Sequence, residues 1–245
     1  MAESLVLSRL IFEMERVRSC LIRALGTVLV LFVAAFLLAP QLFDVLVEPL
    51  RSRLEPGQSL IGTGVAEVFF VEIKVALLAA LLAGSPVIFY QVWRLVAPLF
   101  GADGRTGYLV GFVGTASLFF LSGAFFCYRT VLPLAFLYFL DQYGAIGVNP
   151  EIRVAEYFSF FFRIVIAFGV TFQLPVFTFF LARTGVWTHQ FLWHHFRYAL
   201  LVMFVLAAVL TPPDVVSQLL LAGPLIALYL LSIGIAYVFG RKPPE

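Results

Sequence analysis

Charged side chains are scarce in this sequence of 245 residues. Asp, Glu, Lys and Arg make up 12% of it, whereas 62% is hydrophobic and 28 residues are Phe. A soluble domain carries about 25% charged residues, and so few charges cannot cover so apolar a chain in water. The composition therefore excludes a water-soluble protein and predicts that lipid surrounds most of the surface. The formal net charge of +2 is too small to indicate a nucleic-acid partner.

Cysteine and the motifs of common enzymes are also nearly absent. Cys20 precedes the first long apolar stretch and Cys127 ends the third, so the two would lie about 30 Å apart across a membrane and form no disulfide. The sequence contains no H-E-x-x-H, G-x-S-x-G or Walker glycine motif. His189, His194 and His195 have poor spacing for a metal site and are expected at the membrane interface. The sequence predicts neither an enzyme nor a bound cofactor or metal.

Long uncharged stretches dominate instead. A transmembrane helix requires about 20 apolar residues, and six stretches reach or approach that length. Each is continuously apolar rather than alternating, which favours helices over barrel strands. The stretches are residues 24–43, 75–93, 106–128, 164–182, 198–213 and 215–240. We therefore predict an all-α integral membrane protein, a single domain with six transmembrane helices, in which the fifth and sixth spans form a short, tightly joined hairpin.

The positions of the basic residues predict the orientation. Arg and Lys concentrate beside the two ends of the chain and in the loops after the second and fourth spans. Under the positive-inside rule that side is cytoplasmic, so both termini are predicted to lie inside. We expect the first span to be retained rather than cleaved as a signal peptide, because five further spans follow it. The outer side then carries residues 44–74 and 129–163, whose apolar runs are expected to form short helices over the outer surface.

One polar side chain stands near the middle of a predicted span. Gln173 lies about ten residues into the fourth stretch and precedes Pro175 by two positions. Pro175 has no N–H for the carbonyl of Thr171, so it should kink the helix and free a backbone acceptor that the Gln173 amide could satisfy. Polar groups inside a membrane also mark functional sites. The structural and the functional interpretations of Gln173 both stand at this point.

A second polar group follows the pair of prolines between the fifth and sixth spans. Asp214 begins the sixth stretch, where a carboxylate can cap free backbone N–H groups and meet the positive end of the helix dipole. Ser217 and Gln218 continue a polar patch at this outer end. Capping explains Asp214, and a functional role for the three residues is the alternative.

The residues before the first span mix charged and apolar side chains. Residues 10–25 suit a helix that lies at the inner interface and leads into the first span. Glu13, Glu15 and Asp103 are among the few acidic residues on the predicted cytoplasmic side. A cationic ligand that approaches from the cytoplasm would meet these carboxylates.

Several short motifs follow one another in a recognisable order. They are Glu48-Pro49-Leu50, Phe69-Phe70, Ile73-Lys74, Ser85-Pro86, Tyr90-Gln91-Val92-Trp93, Ala97-Pro98-Leu99, Pro133-Leu134-Ala135-Phe136, Ala167-Phe168-Gly169-Val170, Arg197-Tyr198 and Leu210-Thr211-Pro212-Pro213-Asp214. In these motifs, and in the six-helix plan with both ends inside, the chain resembles the TatC family, the polytopic core subunit of the twin-arginine protein translocase. The resemblance covers nearly the whole sequence.

The resemblance implies a function and a set of partners. It implies a receptor in the cytoplasmic (inner) membrane of a prokaryote, which binds the twin-arginine signal peptides of folded cargo at its cytoplasmic face. It also implies a homo- or hetero-oligomer that recruits single-span TatA- and TatB-type proteins, with transport driven by the proton motive force rather than by ATP. Membrane lipids surround the complex, and no cofactor is implied.

Two family motifs associated with recognition of the paired arginines can be placed on this chain. The N-terminal motif H-L-x-E-L-R-x-R-L aligns with residues 13–21, so Arg16 stands at the glutamate position beside Glu15. In the first cytoplasmic loop the glutamate position holds Gly104, beside Asp103. The resemblance thus assigns signal-peptide binding to four residues, Glu13, Glu15, Arg18 and Asp103.

The family's glutamate in the fourth span corresponds to Gln173, which keeps hydrogen bonding but lacks the charge. The resemblance places Gln173 and Pro175 in a membrane-embedded concavity that faces cargo or partners. The replacements at Arg16, Gly104 and Gln173 leave two interpretations, a receptor whose acids have shifted by one position and a divergent scaffold subunit with lost or altered peptide recognition. A small-solute transporter is a third, which would require charge pairs in mid-membrane.

Overall fold

The computed structural model describes residues 2–54, 60–100, 106–145, 147–148 and 150–240. In these ranges the chain is helical, with one isolated bridge between Ile61 and Arg153 and no sheet. A 3₁₀ helix at Ala97–Phe100 and a π-helix at Cys127–Val131 accompany the α-helices. The α-helices are α1 (Ala2–Leu37), α2 (Ala39–Arg51), α3 (Glu67–Val96), α4 (Thr106–Phe126), α5 (Leu132–Ala145), α6 (Val154–Thr171), α7 (Gln173–Thr184), α8 (His189–His194), α9 (Phe196–Leu210) and α10 (Val215–Phe239).

These helices supply six candidate membrane spans. Within the described residues, five helical stretches are long and apolar enough to cross a membrane, namely Met14–Leu37, Glu67–Val96, Gly107–Ala145, Val154–Arg183 and Val215–Phe239. The shorter apolar helix α9 is the sixth. The predicted all-α membrane fold is therefore confirmed, while the orientation of the termini stays a prediction. Of the predicted short hairpin, only α9 is short, with 15 residues, because two prolines follow it, whereas α10 has 25 residues.

Several helix ends differ from the limits of the uncharged stretches. α1 ends at Leu37, before the predicted limit of 43, because Pro40 lies in the first turn of α2 and cannot donate a backbone hydrogen bond to the helix that precedes it. The third span does not end at 128, since the helix continues through the π-helix into α5. The fourth span begins at Val154 rather than at 164. Absence of charge marks contact with lipid, whereas helices extend beyond the lipid into water.

Two aromatic clusters hold the helices together. The larger cluster is centred on α6, whose Phe158, Phe161 and Phe168 are fully buried. The smaller cluster joins α3 to α4, where the ring centroids of Trp93 and Phe112 lie 5.0 Å apart. Both cysteines are free and buried, as predicted. Since lipid is as apolar as these rings, close packing rather than hydrophobicity selects the contacts between the helices.

Two glycines bring α4 and α6 into direct contact. A Cβ added to Gly169 would lie 2.7 Å from the ring of Phe120, and one added to Gly123 would lie 2.9 Å from the carbonyl oxygen of Phe168. Small residues at such positions allow helix backbones in a membrane to approach closely. The contact holds the end of α6, and the turn at Phe172 that follows it, against α4.

The carboxylate of Glu67 joins the two segments that are predicted to lie outside the membrane. Its Oε1 accepts a hydrogen bond from the N–H of Ala155 at 2.8 Å, across 88 positions of sequence. Its Oε2 accepts from the N–H groups of Thr63 at 2.6 Å and Gly64 at 3.0 Å. The segment before α3 is thus tied to the first turn of α6. Local sequence patterns give no sign of this role, because the partner on α6 is remote along the chain.

We expect Glu67→Ala to loosen the outer segments and leave the spanning helices in place. Three backbone N–H groups would lose their acceptor, and the segments that they hold would open more often. Limited proteolysis of the protein in nanodiscs should therefore cut the region before α3 faster than in the parent. Glu151→Ala is the matched control, because Glu151 is an exposed carboxylate on the second of these segments. Equal cleavage of both variants would contradict the role of Glu67.

Candidate functional site

The fourth span is broken in the middle. α6 ends at Thr171 and α7 begins at Gln173, with Phe172 as a turn between them. Pro175 has no N–H to donate to the carbonyl of Thr171, so the regular hydrogen-bond ladder fails at this point. The interruption that the sequence predicts beside Pro175 is present as a one-residue turn at Phe172, and the kink itself stays a prediction.

The Gln173 side chain fills this break. It is 5% exposed, and its Nε2 donates to the carbonyl oxygens of Ala116 on α4 at 3.2 Å and of Gly169 on α6 at 3.4 Å. The amide therefore satisfies a backbone acceptor, as the structural interpretation predicts. The acceptor within the fourth span is the carbonyl of Gly169 rather than that of Thr171, and the second bond crosses to α4. The same side chain thus fixes the break and fastens it to a neighbouring helix.

The oxygen of the Gln173 amide indicates a second role for this side chain. Gln173 Oε1 is buried and has no hydrogen-bond partner among the described residues. Gln173 lines a cavity of about 480 Å³ together with Ser85, Phe89, Phe120 and Val170. A buried acceptor without a partner costs about 1–3 kcal/mol, so a hydrogen-bond donor that reached Gln173 Oε1 would be stabilised. The functional interpretation of Gln173 stays a prediction, and the orphaned oxygen supports it.

The predicted outer polar patch is formed around the start of α10. Asp214 Oδ1 accepts from the N–H of Ser217 at 2.7 Å, and the Ser217 hydroxyl donates to Oδ2, so the predicted N-cap is present. Gln218 Nε2 donates to the carbonyl oxygen of Phe204 on α9 at 3.0 Å. The patch therefore closes the α9–α10 hairpin. A functional role for its three residues stays a prediction.

The hydrogen bonds of the cap also set the charge of Asp214. Partial desolvation raises the pKa of Asp214, but hydrogen bonds from Ser217 and from the hydroxyl of Tyr138 outweigh it and hold that pKa below its ordinary value. The carboxylate is thus ionised at neutral pH and faces the positive end of the α10 dipole. Because the pKa is lower in the folded state, the stabilisation is present at neutral pH and is lost as the pH falls through that pKa.

Of the carboxylates predicted to meet a cationic ligand, the structure describes Glu15, which lies near the start of the first span at the other end of the bundle. Glu15 and Arg18 are exposed on α1, one helical turn apart and therefore on the same side of the helix. Arg16 is half-buried and interacts within the protein. The side chain of Glu13, and Asp103 as a whole, lie outside the described residues. Glu15 and Arg18 thus share one side of α1, and their grouping with Asp103 stays a prediction.

Two of the histidines make contacts within the protein, and their position at the membrane interface stays a prediction. The ring of His189 packs edge-on against Tyr237, with centroids 5.2 Å apart, and His195 Nδ1 lies 2.8 Å from the carbonyl oxygen of Phe191. In the part of the chain that the structure describes, no three His, Cys, Asp or Glu side chains are grouped to hold a metal ion.

Known sequences resemble the chain along nearly its full length. The family model described as "Sec-independent protein translocase protein (TatC)" matches residues 13–224. The Sec-independent protein translocase protein TatC of Campylobacter jejuni is 40% identical over 230 residues, which are 93% of each chain. The protein of the same name from Helicobacter pylori strain J99 is 36% identical over 234 residues, 95% of this chain and 90% of that one.

Solved structures share the fold. The crystal structure of the twin arginine translocase receptor TatC matches with a TM-score of 0.82 and 32% identity, over 91% of this chain and 97% of that one. A second crystal structure of this receptor, in DDM, gives a TM-score of 0.84 over 94% of this chain and all of the other, again at 32% identity. With the family model, the relatives and the fold in agreement, the chain belongs to the TatC family of Sec-independent protein translocase proteins.

Proposed function

We propose that this chain is the receptor subunit of a twin-arginine translocase and binds the signal peptides of folded cargo. Family membership makes it a multi-pass inner-membrane component of the Tat translocase complex rather than an enzyme. The observation that carries the proposal is its match over nearly the full length to a protein crystallised as the twin arginine translocase receptor. The same membership favours protein translocation over the transport of small solutes.

The surface proposed to bind the peptide joins α1 to the segment that links Phe100 to α4. Glu15 is exposed on α1, where a peptide at the membrane surface can reach it. Glu13 and Asp103 would add carboxylates, and Arg18 keeps the first basic position of the family motif. A carboxylate binds a guanidinium through two parallel charge-assisted hydrogen bonds. A surface with several carboxylates therefore suits a ligand that carries two adjacent arginines.

The cavity beside Gln173 is proposed to receive the single-span partners of TatA and TatB type, or a segment of cargo. Gln173 lines the cavity, and its buried Oε1 has no hydrogen-bond partner among the described residues. A helix with a hydroxyl or amide donor at mid-membrane would supply the missing hydrogen bond. Transport driven by the proton motive force belongs to the same proposal, and the sequence contains no Walker motif that would indicate ATP hydrolysis.

Binding of a twin-arginine signal peptide and of its twin-lysine version tests the proposal. Lysine keeps the positive charge but lacks the guanidinium fork. We therefore expect the twin-lysine peptide to bind about tenfold more weakly, the effect of losing bidentate charge-assisted bonds. The measurement is a titration of fluorescently labelled peptide with the protein in nanodiscs, and empty nanodiscs give the contribution of lipid alone.

Two outcomes would contradict arginine recognition. Either both peptides bind equally well, or neither binds above the level of empty nanodiscs. Both outcomes would favour the divergent scaffold subunit. That second candidate rests on Arg16, Gly104 and Gln173, which stand at three positions where the family motifs have acids.

A further inference from the structure

A second groove, distinct in its lining from the Gln173 cavity, runs between α4, α7 and α10. Its volume is about 420 Å³. At one end it is lined by Gly107, Tyr108 and Phe239, which lie at the start of α4 and the end of α10. At the other end it is lined by Phe119 and Pro175, at the level of the break in the fourth span. The groove therefore extends from one surface of the bundle to about its middle.

Small residues of α4 form one side of the groove. Gly107 and Gly111 are exposed, and a Cβ added to either would meet nothing within 4 Å. Thr115 continues the row, and its hydroxyl donates to the carbonyl oxygen of Gly111 at 2.6 Å, so this polar group is satisfied within α4. The opposite wall consists of aromatic rings, with the centroids of Phe179 and Phe239 5.2 Å apart. The groove is therefore an apolar slot, in which a ligand needs no polar contact along its length.

The length of the groove favours a lipid chain over a protein helix. From Gly107 to Phe119, α4 rises about 18 Å, and half of the hydrocarbon core of a bilayer is about 15 Å thick. A helix that crosses the membrane is about 30 Å long, so a partner helix seated here would leave nearly half of its length outside the groove. An acyl chain occupies one leaflet, which is the depth that the groove offers.

A cation lies beside the wall of this slot. The guanidinium carbon of Arg183 lies 5.7 Å from the centroid of the Phe179 ring, which belongs to the wall. Arg183 is exposed, and among the described residues it takes part in no salt bridge. An arginine at a membrane surface attracts anionic headgroups, and its planar fork suits a phosphate.

We propose that the groove binds one anionic phospholipid, with an acyl chain between α4, α7 and α10 and its phosphate on Arg183. The lipid belongs to the leaflet at the end of the bundle where α7 and α10 end, which the sequence predicts to be cytoplasmic. Of the two residues that the resemblance places in the partner-facing concavity, Pro175 lines this groove and Gln173 does not. The proposal rests on the groove and on Arg183 and does not depend on peptide binding.

Native mass spectrometry of the full chain, released from mild detergent after addition of phosphatidylglycerol or phosphatidylcholine, tests the site. The parent should retain one phosphatidylglycerol about fivefold more often than phosphatidylcholine, the effect of one basic residue near an anionic group. Arg183→Gln should abolish this preference. Gly111→Leu should fill the slot and reduce retention of both lipids. The matched controls are Arg197→Gln and Gly114→Leu, whose exposed parent residues do not line the groove.

Three results would overturn the proposal. The first is unchanged retention of phosphatidylglycerol in both Arg183→Gln and Gly111→Leu. The second is an equal loss of the preference in Arg197→Gln, which would reveal general attraction to basic residues. The third is a Gly111→Leu variant that keeps the lipid but releases a co-purified single-span partner, which would assign the groove to a helix. Should Gly111→Leu fail to fold, the change in lipid preference of Arg183→Gln decides the outcome.

Discussion

Replacement of Asp103 by alanine should weaken the binding of a twin-arginine peptide about tenfold, and Glu15→Ala should weaken it less. Each change removes a carboxylate, and a hydrogen bond to a charged group contributes about 1.5–3 kcal/mol. Glu15 is fixed on α1, and the next position, where the family has its acid and this chain has Arg16, is rotated by about 100° around the helix. The sequence predicts that Asp103 lies in a loop, where a displacement by one residue changes the direction of a side chain less.

The nanodisc titration of labelled peptide measures this difference. Asp141→Ala is the control, because Asp141 is an exposed acid of α5 on the side predicted to lie outside the membrane. It removes the same charge without touching the proposed surface. Equal affinities of the Asp103 and Glu15 variants with the parent would show that these two carboxylates do not bind the peptide.

The second large effect is expected for Gln173→Glu. The Gln173 amide donates to two carbonyl oxygens, those of Ala116 and Gly169. A protonated glutamic acid can still donate to one of them, whereas an ionised carboxylate has no proton to donate and would face both oxygens. The fold therefore favours the neutral acid, and stability should fall as the pH rises and the group ionises. We expect a loss of about 1–3 kcal/mol at high pH and a folded variant at low pH.

Thermal unfolding in detergent across the acidic to neutral range measures this loss. Gln173→Leu should be less stable than the parent by an amount that does not depend on pH, because it removes the bonds without adding a titrating group. Gln218→Glu is the matched control, since Gln218 is half-buried and donates to one carbonyl oxygen, that of Phe204. Its dependence on pH should be weaker. A Gln173→Glu variant with the same stability at every pH would contradict the proposed environment of this side chain.

The same variant separates the two roles of Gln173. Crosslinks from a photoreactive residue at Val170, which lines the same cavity, would report a single-span partner there. If Gln173 Oε1 accepts a hydrogen bond from that partner, Gln173→Glu should change the crosslinks at a pH at which the protein is folded. Unchanged crosslinks would show that Gln173 serves only to donate hydrogen bonds to the backbone carbonyl groups at the helix break.

Features that depend on a few neighbouring residues could be predicted from the sequence. The helix break follows from the missing N–H of Pro175, and the N-cap of α10 follows from Asp214 after two prolines. Pro40 likewise predicts that α1 ends before it, but a count of uncharged residues does not take proline into account. A direct count of the uncharged residues after Asp214 also predicts that α10 is long rather than short, as the structure shows.

Contacts between remote segments could not be predicted in this way. Glu67 holds the N–H of Ala155, and Gln173 reaches the carbonyl of Ala116, although each pair is far apart along the chain. The sequence indicates that each side chain needs a partner, yet offers no means of choosing it. The grouping of Glu15 with Asp103 would also join remote segments, and it stays a prediction that the binding experiments test.

There is a physical reason why the sequence predicts some features and only the folded structure shows the others. Hydropathy, charge and proline act through the solvent and the local backbone, so the sequence alone establishes a membrane protein with six helical spans and, through its ordered motifs, its resemblance to the TatC family. Between the helices, protein and lipid are equally apolar, so hydropathy cannot specify which faces meet. Close packing at Gly123 and Gly169 selects the faces by which α4 and α6 meet. The orphaned oxygen of Gln173 and the groove beside Arg183 are further results of packing between helices. These depend on the shapes of several helices together and appear only in the folded structure.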